Sequence, residues 1–196
     1  MTNILPTVVV SGPPRSGTSL MMQMLLASGI KVITDGERAE DDNNPRGYFE
    51  HKEVMRLAQD KSIFHDSAGK AVKVIHALLK HIPVGMPLAV IFLERDLDEV
   101  LASQSVMLER LGRPQAKIAP QRMRDILESQ LTLVRKELEA RTDTSLLEVK
   151  YAQLIADPTA TAKQIAAFLE PVLGRQLDYE AMAACVDASL YRQKKA

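Results

Sequence analysis

One cysteine, Cys185, is the whole thiol content of the chain, which excludes an internal disulfide and a cysteine-rich metal site and fits a reducing compartment. An excess of either charge is missing too: 25 Lys+Arg stand against 25 Asp+Glu. The basic footprint of a general nucleic-acid or membrane binder is therefore absent, so neither partner is expected and any anion site must be local. Long apolar runs are also lacking near the start of the sequence, where Val8 to Val10 is too short for a signal segment or a membrane span. The expected location is the cytoplasm. No internal repeat and no low-complexity tract interrupts the pattern.

What remains is a chain of 196 residues, 46% hydrophobic. That suffices for one domain over residues 1–196 that buries roughly 70% of its unfolded surface. Four short β-branched or apolar runs, Thr7 to Val10, Ala71 to Ile75, Leu88 to Leu93 and Leu146 to Val149, alternate with longer helical patterns. The alternation predicts an α/β fold, an open parallel sheet of about four to five strands with helices on both faces.

Thr18 to Ser28 reads as a helix, with Leu20, Met21, Met24 and Leu25 at helical spacing and Gly29 as its stop. Asp96 followed by Glu99 forms a capping-box pattern at the head of another. Amphipathic helices are expected from Pro120 to about Glu139 and from Asp157-Pro158 through Phe168-Leu169. The polar stretches 36–47 and 112–120 read as loops bordering a cleft.

Between the first strand and the first helix runs Ser11-Gly-Pro-Pro-Arg-Ser-Gly-Thr-Ser19. Gly12 and Gly17 keep the glycine spacing of the phosphate loop G-x-x-x-x-G-K-[ST], but Thr18 stands where the lysine belongs. The glycines still let successive N–H groups and the helix N-terminus converge on an anion. A nucleoside triphosphate, however, depends on that lysine and on Mg²⁺. Arg15, inside the loop, is the alternative cation.

Pro14-Arg-Ser-Gly-Thr-Ser19 resembles the 5'-phosphosulfate loop of the sulfotransferases that use PAPS (3'-phosphoadenosine 5'-phosphosulfate). The resemblance implies that Arg15 contacts the oxygen bridging phosphate and sulfonate, and that Ser16, Gly17, Thr18 and Ser19 hold the 5'-phosphate. The family's 3'-phosphate motif pairs an Arg at a strand end with a Ser eight residues later. Arg95 and Ser103 stand in that relation, with Leu97 where proline is usual. Taken alone, the same residues also fit a surface pairing of Arg95 with Glu94 or Asp98 and an ordinary helix serine.

Weaker likenesses extend over Asn44 to Glu50 and Val186 to Arg192. Tyr151 resembles the tyrosine that faces adenine in the family, although the acidic residue usual beside it is missing. The family's basic clamp near the C-terminus is not visible as such, and Arg192, Lys194 and Lys195 are candidates to stand in for it.

The implied reaction moves the sulfonate of PAPS to an acceptor hydroxyl or amine on a small molecule, saccharide or peptide, releasing PAP (3'-phosphoadenosine 5'-phosphate) without a required metal. An acceptor hydroxyl needs a general base, which family members supply as His or Glu. Glu50 is the first candidate, and Glu37, His51 and Lys73 follow. Two other readings stay open: a nucleotide or small-molecule kinase with Glu94 or Asp96 as its Mg²⁺ acid, and a non-catalytic nucleotide-binding module.

Overall fold

The structure is a computed structural model that describes residues 4–37, 47–114 and 118–191. Its centre is strand β1, Thr7–Ser11, every residue of which is buried. Two faces of packing explain why this run carries no polar alternation: strands of a covered parallel sheet read as continuous apolar segments.

On one side β1 pairs in parallel with β3, Ala71–Lys73, and β3 with the two-residue edge strand β2, Val32–Ile33. On the other it pairs with β4, Leu88–Glu94, which in turn pairs with β5, Thr144–Lys150. The order β2-β3-β1-β4-β5 makes one five-stranded parallel sheet. β2 was not expected from sequence, and β3 stops at Lys73, two residues short of the predicted run.

Alternate residues of β1 and β4 feed two cores. Val8, Val10, Ile91 and Leu93 face helices α1 (Thr18–Ala27), α4 (Tyr151–Ala156), α5 (Pro158–Leu173) and α6 (Tyr179–Ala184). Val9, Val90 and Phe92 face α2 (Leu97–Arg110), α3 (Pro120–Glu139) and short 3₁₀ turns at Lys52–Arg56, Ser62–Phe64 and His76–His81. Each large apolar side chain fully buried here contributes roughly 1.5–3 kcal/mol. The fold is thus the expected single α/β domain with helices on both faces.

Helix entries follow the residues that announced them. The Asp96 side chain accepts from the backbone N–H groups of Asp98 and Glu99, and that of Asp157 accepts from Ala160. Gly29 takes a left-handed φ of 90° just after α1. Of the two predicted cleft loops, 38–46 and 115–117 lie outside the described residues, as do Arg192, Lys194 and Lys195.

Candidate active site

Because all five strands run the same way, their carboxyl ends gather on one edge. Ligands of open α/β sheets bind at that edge where the chain order reverses, here between β1 and its neighbour β4. Both motifs leave the sheet at this point, the loop from β1 and Arg95 from β4.

The loop is built for close approach. Gly12 has a φ of 149°, and a Cβ there would sit 2.6 Å from Ser16 Oγ and 2.8 Å from the Leu93 carbonyl oxygen. Gly17, at φ 100°, would drive a Cβ to 2.5 Å from the Tyr151 ring. Arg15 takes a left-handed φ of 73°, a conformation that costs a non-glycine residue about 1–3 kcal/mol and clusters at functional sites. The N-terminus of α1 has no side-chain cap and no acidic residue in its first turn. Ser16 is fully buried, and its Oγ has no hydrogen-bond partner among the described residues. An uncapped helix start beside an orphaned buried hydroxyl and a loop cation is chemically suited to an oxyanion, the group expected from sequence.

The second motif reaches the first directly. Arg15 Nε donates to Ser103 Oγ at 3.1 Å, and Arg95 Nη1 donates to the Arg15 carbonyl oxygen at 2.9 Å. Gln104 of α2 also donates to the Pro14 carbonyl oxygen. Ser103 is therefore a buried partner of the loop cation rather than an ordinary helix serine.

Arg95 pairs with neither Glu94 nor Asp98. Its Nε donates to Glu99 Oε2 at 3.0 Å, in an ion pair whose two side chains are both 8% exposed. Its guanidinium carbon stands 4.7 Å from the Tyr151 ring centroid and 5.2 Å from that of Tyr191. Burial raises the Tyr151 phenol, against the opposing fields of Arg95 and Arg15. It stays a neutral ring that covers Gly17 on one side and Arg95 on the other.

The candidate bases separate cleanly. Lys73, buried at the end of β3, extends its Nζ to the Tyr48 carbonyl oxygen at 2.5 Å, to Glu50 Oε1 at 3.1 Å and to Ser19 Oγ at 3.3 Å. Glu50 is thereby tied through Lys73 to the first turn of α1. Its carbonyl oxygen is held by Thr34 Oγ1 and the Asp35 N–H. Glu37 instead pairs with exposed Lys52, and His51 Nδ1 accepts from the Glu53 N–H at 3.3 Å, capping its own turn. Those two are not brought to the loop.

His76 was missed in the sequence. Its backbone N–H donates to the Gly12 carbonyl oxygen at 3.3 Å, and its buried ring Nδ1 has no partner among the described residues. A lone histidine after an apolar run gives no signal of such a position.

A cavity of about 370 Å³ lies beside these groups, lined among others by Pro13, Phe92, Arg95, Leu131, Lys150 and Tyr191. It meets the loop only at Pro13, so it and the N–H cradle are neighbouring spaces. An anion is drawn to the uncapped helix N-terminus and the loop cation rather than to this cavity. Glu94, one of the two acids proposed for Mg²⁺ in the kinase reading, is bonded to Arg135, and the other, Asp96, caps α2.

A sulfotransferase domain model matches residues 5–196, nearly the whole chain. The chain belongs to the sulfotransferase domain family. It is accordingly a transferase that moves a sulfonate group, and the kinase and non-catalytic readings give way. No curated protein sequence is a significant match to this sulfotransferase. Among solved structures it is similar to a sulfotransferase domain from the curacin biosynthetic pathway, with 14% identity, TM-score 0.48, and coverage of 96% of this chain and 90% of that one. A sulfotransferase from Alicyclobacillus acidocaldarius is 14% identical with TM-score 0.47, covering 89% and 84% respectively. Retinol dehydratase in complex with androsterone and the inactive cofactor PAP is 18% identical with TM-score 0.49, covering 94% of this chain and 64% of that one. Among the described residues of the sulfotransferase, no helix is long and apolar enough to cross a membrane.

Proposed function

We propose that this sulfotransferase takes the sulfonate from PAPS and delivers it to a hydroxyl or amine of a small-molecule, saccharide or peptide acceptor, releasing PAP in the cytoplasm. The observation that carries the reading is the contact between the two cationic motifs, through Arg15 to Ser103 and Arg95 to the Arg15 carbonyl. Cradles so joined sit within the span of one adenosine bisphosphate.

PAPS supplies an activated sulfonate on a phosphate leaving group, so the protein's task is positioning and charge stabilisation, as in loose phosphoryl transfer. Ser16, Gly17, Thr18 and Ser19 hold the 5'-phosphate with backbone N–H groups and hydroxyls. Arg15 stabilises the charge that develops on the leaving oxygen. Arg95 and Ser103 grip the 3'-phosphate, a planar fork being suited to a phosphomonoester. Tyr151 lies along the adenine.

Glu50 is the general base that takes the acceptor's proton, and Lys73 steadies its carboxylate from the strand side. Its side chain is 41% exposed, which leaves it within reach of an acceptor arriving from solvent.

Labelled PAPS incubated with pooled hydroxyl and amine acceptors, without added metal, tests the reading. Label transferred to an acceptor supports it. No transfer, together with ATP binding that needs Mg²⁺, contradicts it.

A further inference from the structure

Tyr191 enters the site from far along the chain. A 3₁₀ turn, Ala188–Leu190, is capped by the Asp187 side chain, which accepts from the Ser189 N–H, and delivers Tyr191 beside α2. There the phenol donates to Glu99, with 2.7 Å to each carboxylate oxygen. Burial first, and the hydrogen bond to Glu99 second, push the phenol up to about 12, so it remains a donor throughout the neutral range.

A buried carboxylate is costly unless its lone pairs are met. Glu99 is 7% exposed and is met from two sides, by Arg95 Nε and by the Tyr191 hydroxyl. Arg95 is then restrained in two ways. Its edge is fixed by Glu99 and by the Arg15 carbonyl oxygen. Its plane is fixed by the rings of Tyr151 and Tyr191, which stand at 87° to each other with centroids 5.2 Å apart. Tyr191 takes part in both restraints, and a fork recognises a phosphate only when its rotation is set.

We propose that Tyr191 is a positioning residue for 3'-phosphate recognition, acting through Glu99 to set the orientation of the Arg95 guanidinium. This rests on the PAPS reading above. It makes the segment around Tyr191 a determinant of cofactor specificity, so that discrimination between nucleotides with and without a 3'-phosphate is governed partly from the far end of the chain.

The test is calorimetry of wild type, Tyr191→Phe, Glu99→Gln and the double variant against PAP and adenosine 5'-phosphate. Tyr179→Phe, on α6 and outside this cluster, serves as control. The wild-type preference for PAP is expected to fall about fivefold in Tyr191→Phe, the scale of one hydrogen bond to a charged group acting indirectly. Adenosine 5'-phosphate affinity should hold. The double variant should lose no more than the larger single loss, because both changes act on one path.

An unchanged preference in Tyr191→Phe, or equal weakening of both nucleotides, overturns the proposal. So do additive losses in the double variant. A wild type that does not prefer PAP at all overturns the underlying PAPS reading, and this proposal with it.

Discussion

The Arg15 guanidinium donates to Ser103 Oγ across 88 positions of sequence, at 3.1 Å. One hydrogen bond thus joins the loop after β1 to the helix after β4, and the register Thr7↔Leu88 through Ser11↔Phe92 makes it possible by aligning the two strand ends. Ser103→Ala removes the acceptor and leaves a charged donor to find another. Loss of a hydrogen bond to a charged group is worth about 1.5–3 kcal/mol, so kcat/KM for PAPS should fall roughly ten- to a hundredfold. Ser103→Thr, which keeps the hydroxyl, should recover most of it in the same steady-state assay.

Gly17 is constrained twice, by its φ of 100° and by the Tyr151 ring 2.5 Å from where a Cβ would be. Gly17→Ala is expected to cost about 1–3 kcal/mol of stability from backbone strain and to displace Tyr151 as well. Adding Tyr151→Ala removes the clash but not the strain. Urea unfolding should therefore show a smaller but non-zero cost of Gly17→Ala in the Tyr151→Ala background than in the wild type.

Glu50→Gln keeps the size of the side chain and the contact with Lys73 while removing the proposed proton acceptor. A positioned general base contributes about 10²–10⁴-fold, so kcat should drop by that order for hydroxyl acceptors. PAP affinity should be little changed. Glu37→Gln, whose residue pairs with Lys52 away from the loop, should leave kcat near wild type.

At the opposite edge of the sheet, Asp143 accepts from Arg141 Nε and Nη2 and from the Gly85 N–H. The Arg141 hydrogen bond, outweighing the effect of burial, holds its carboxyl at about 2 against an ordinary 3.8. A lowered folded-state pKa gives stability that is full above the ordinary value and is lost as pH falls through about 2. Asp143→Asn should thus cost up to about 2 kcal/mol near neutral pH, a gap that closes as pH approaches 2. Denaturant curves at neutral and acid pH measure it, and a gap independent of pH would contradict the assignment.

Sequence patterning was informative wherever burial is two-sided. Val8 to Val10 and Leu88 to Leu93 read as strands because both faces are covered, whereas Val32-Ile33 is a two-residue edge with too short a pattern to detect. Local chemistry also showed through: Gly12, Gly17, Asp96 and Asp157 do what their residue types suggest. Pairings across the chain did not. Arg95 faces Glu99 one helical turn on, not its sequence neighbours, because strand β4 ends before it and α2 turns Glu99 inward. Lys73, expected among the weaker base candidates, is instead a buried tie between Glu50 and Ser19. The segment Val186 to Arg192 stood out by likeness, but the contact of Tyr191 with Glu99, like that of His76 with Gly12, depends on tertiary packing that no local pattern encodes.

Binding of PAP and of adenosine 5'-phosphate to the wild-type protein and to Arg95→Lys, by calorimetry without metal, tests most directly whether Arg15 and Arg95 hold two ends of one nucleotide. Lysine keeps the charge and avoids leaving Glu99 buried alone, but lacks the fork. The wild type should bind PAP more tightly than adenosine 5'-phosphate, and Arg95→Lys should lose most of that preference while still binding the 5'-phosphate. Equal affinity of the wild type for the two nucleotides, or a preference untouched by Arg95→Lys, would contradict it.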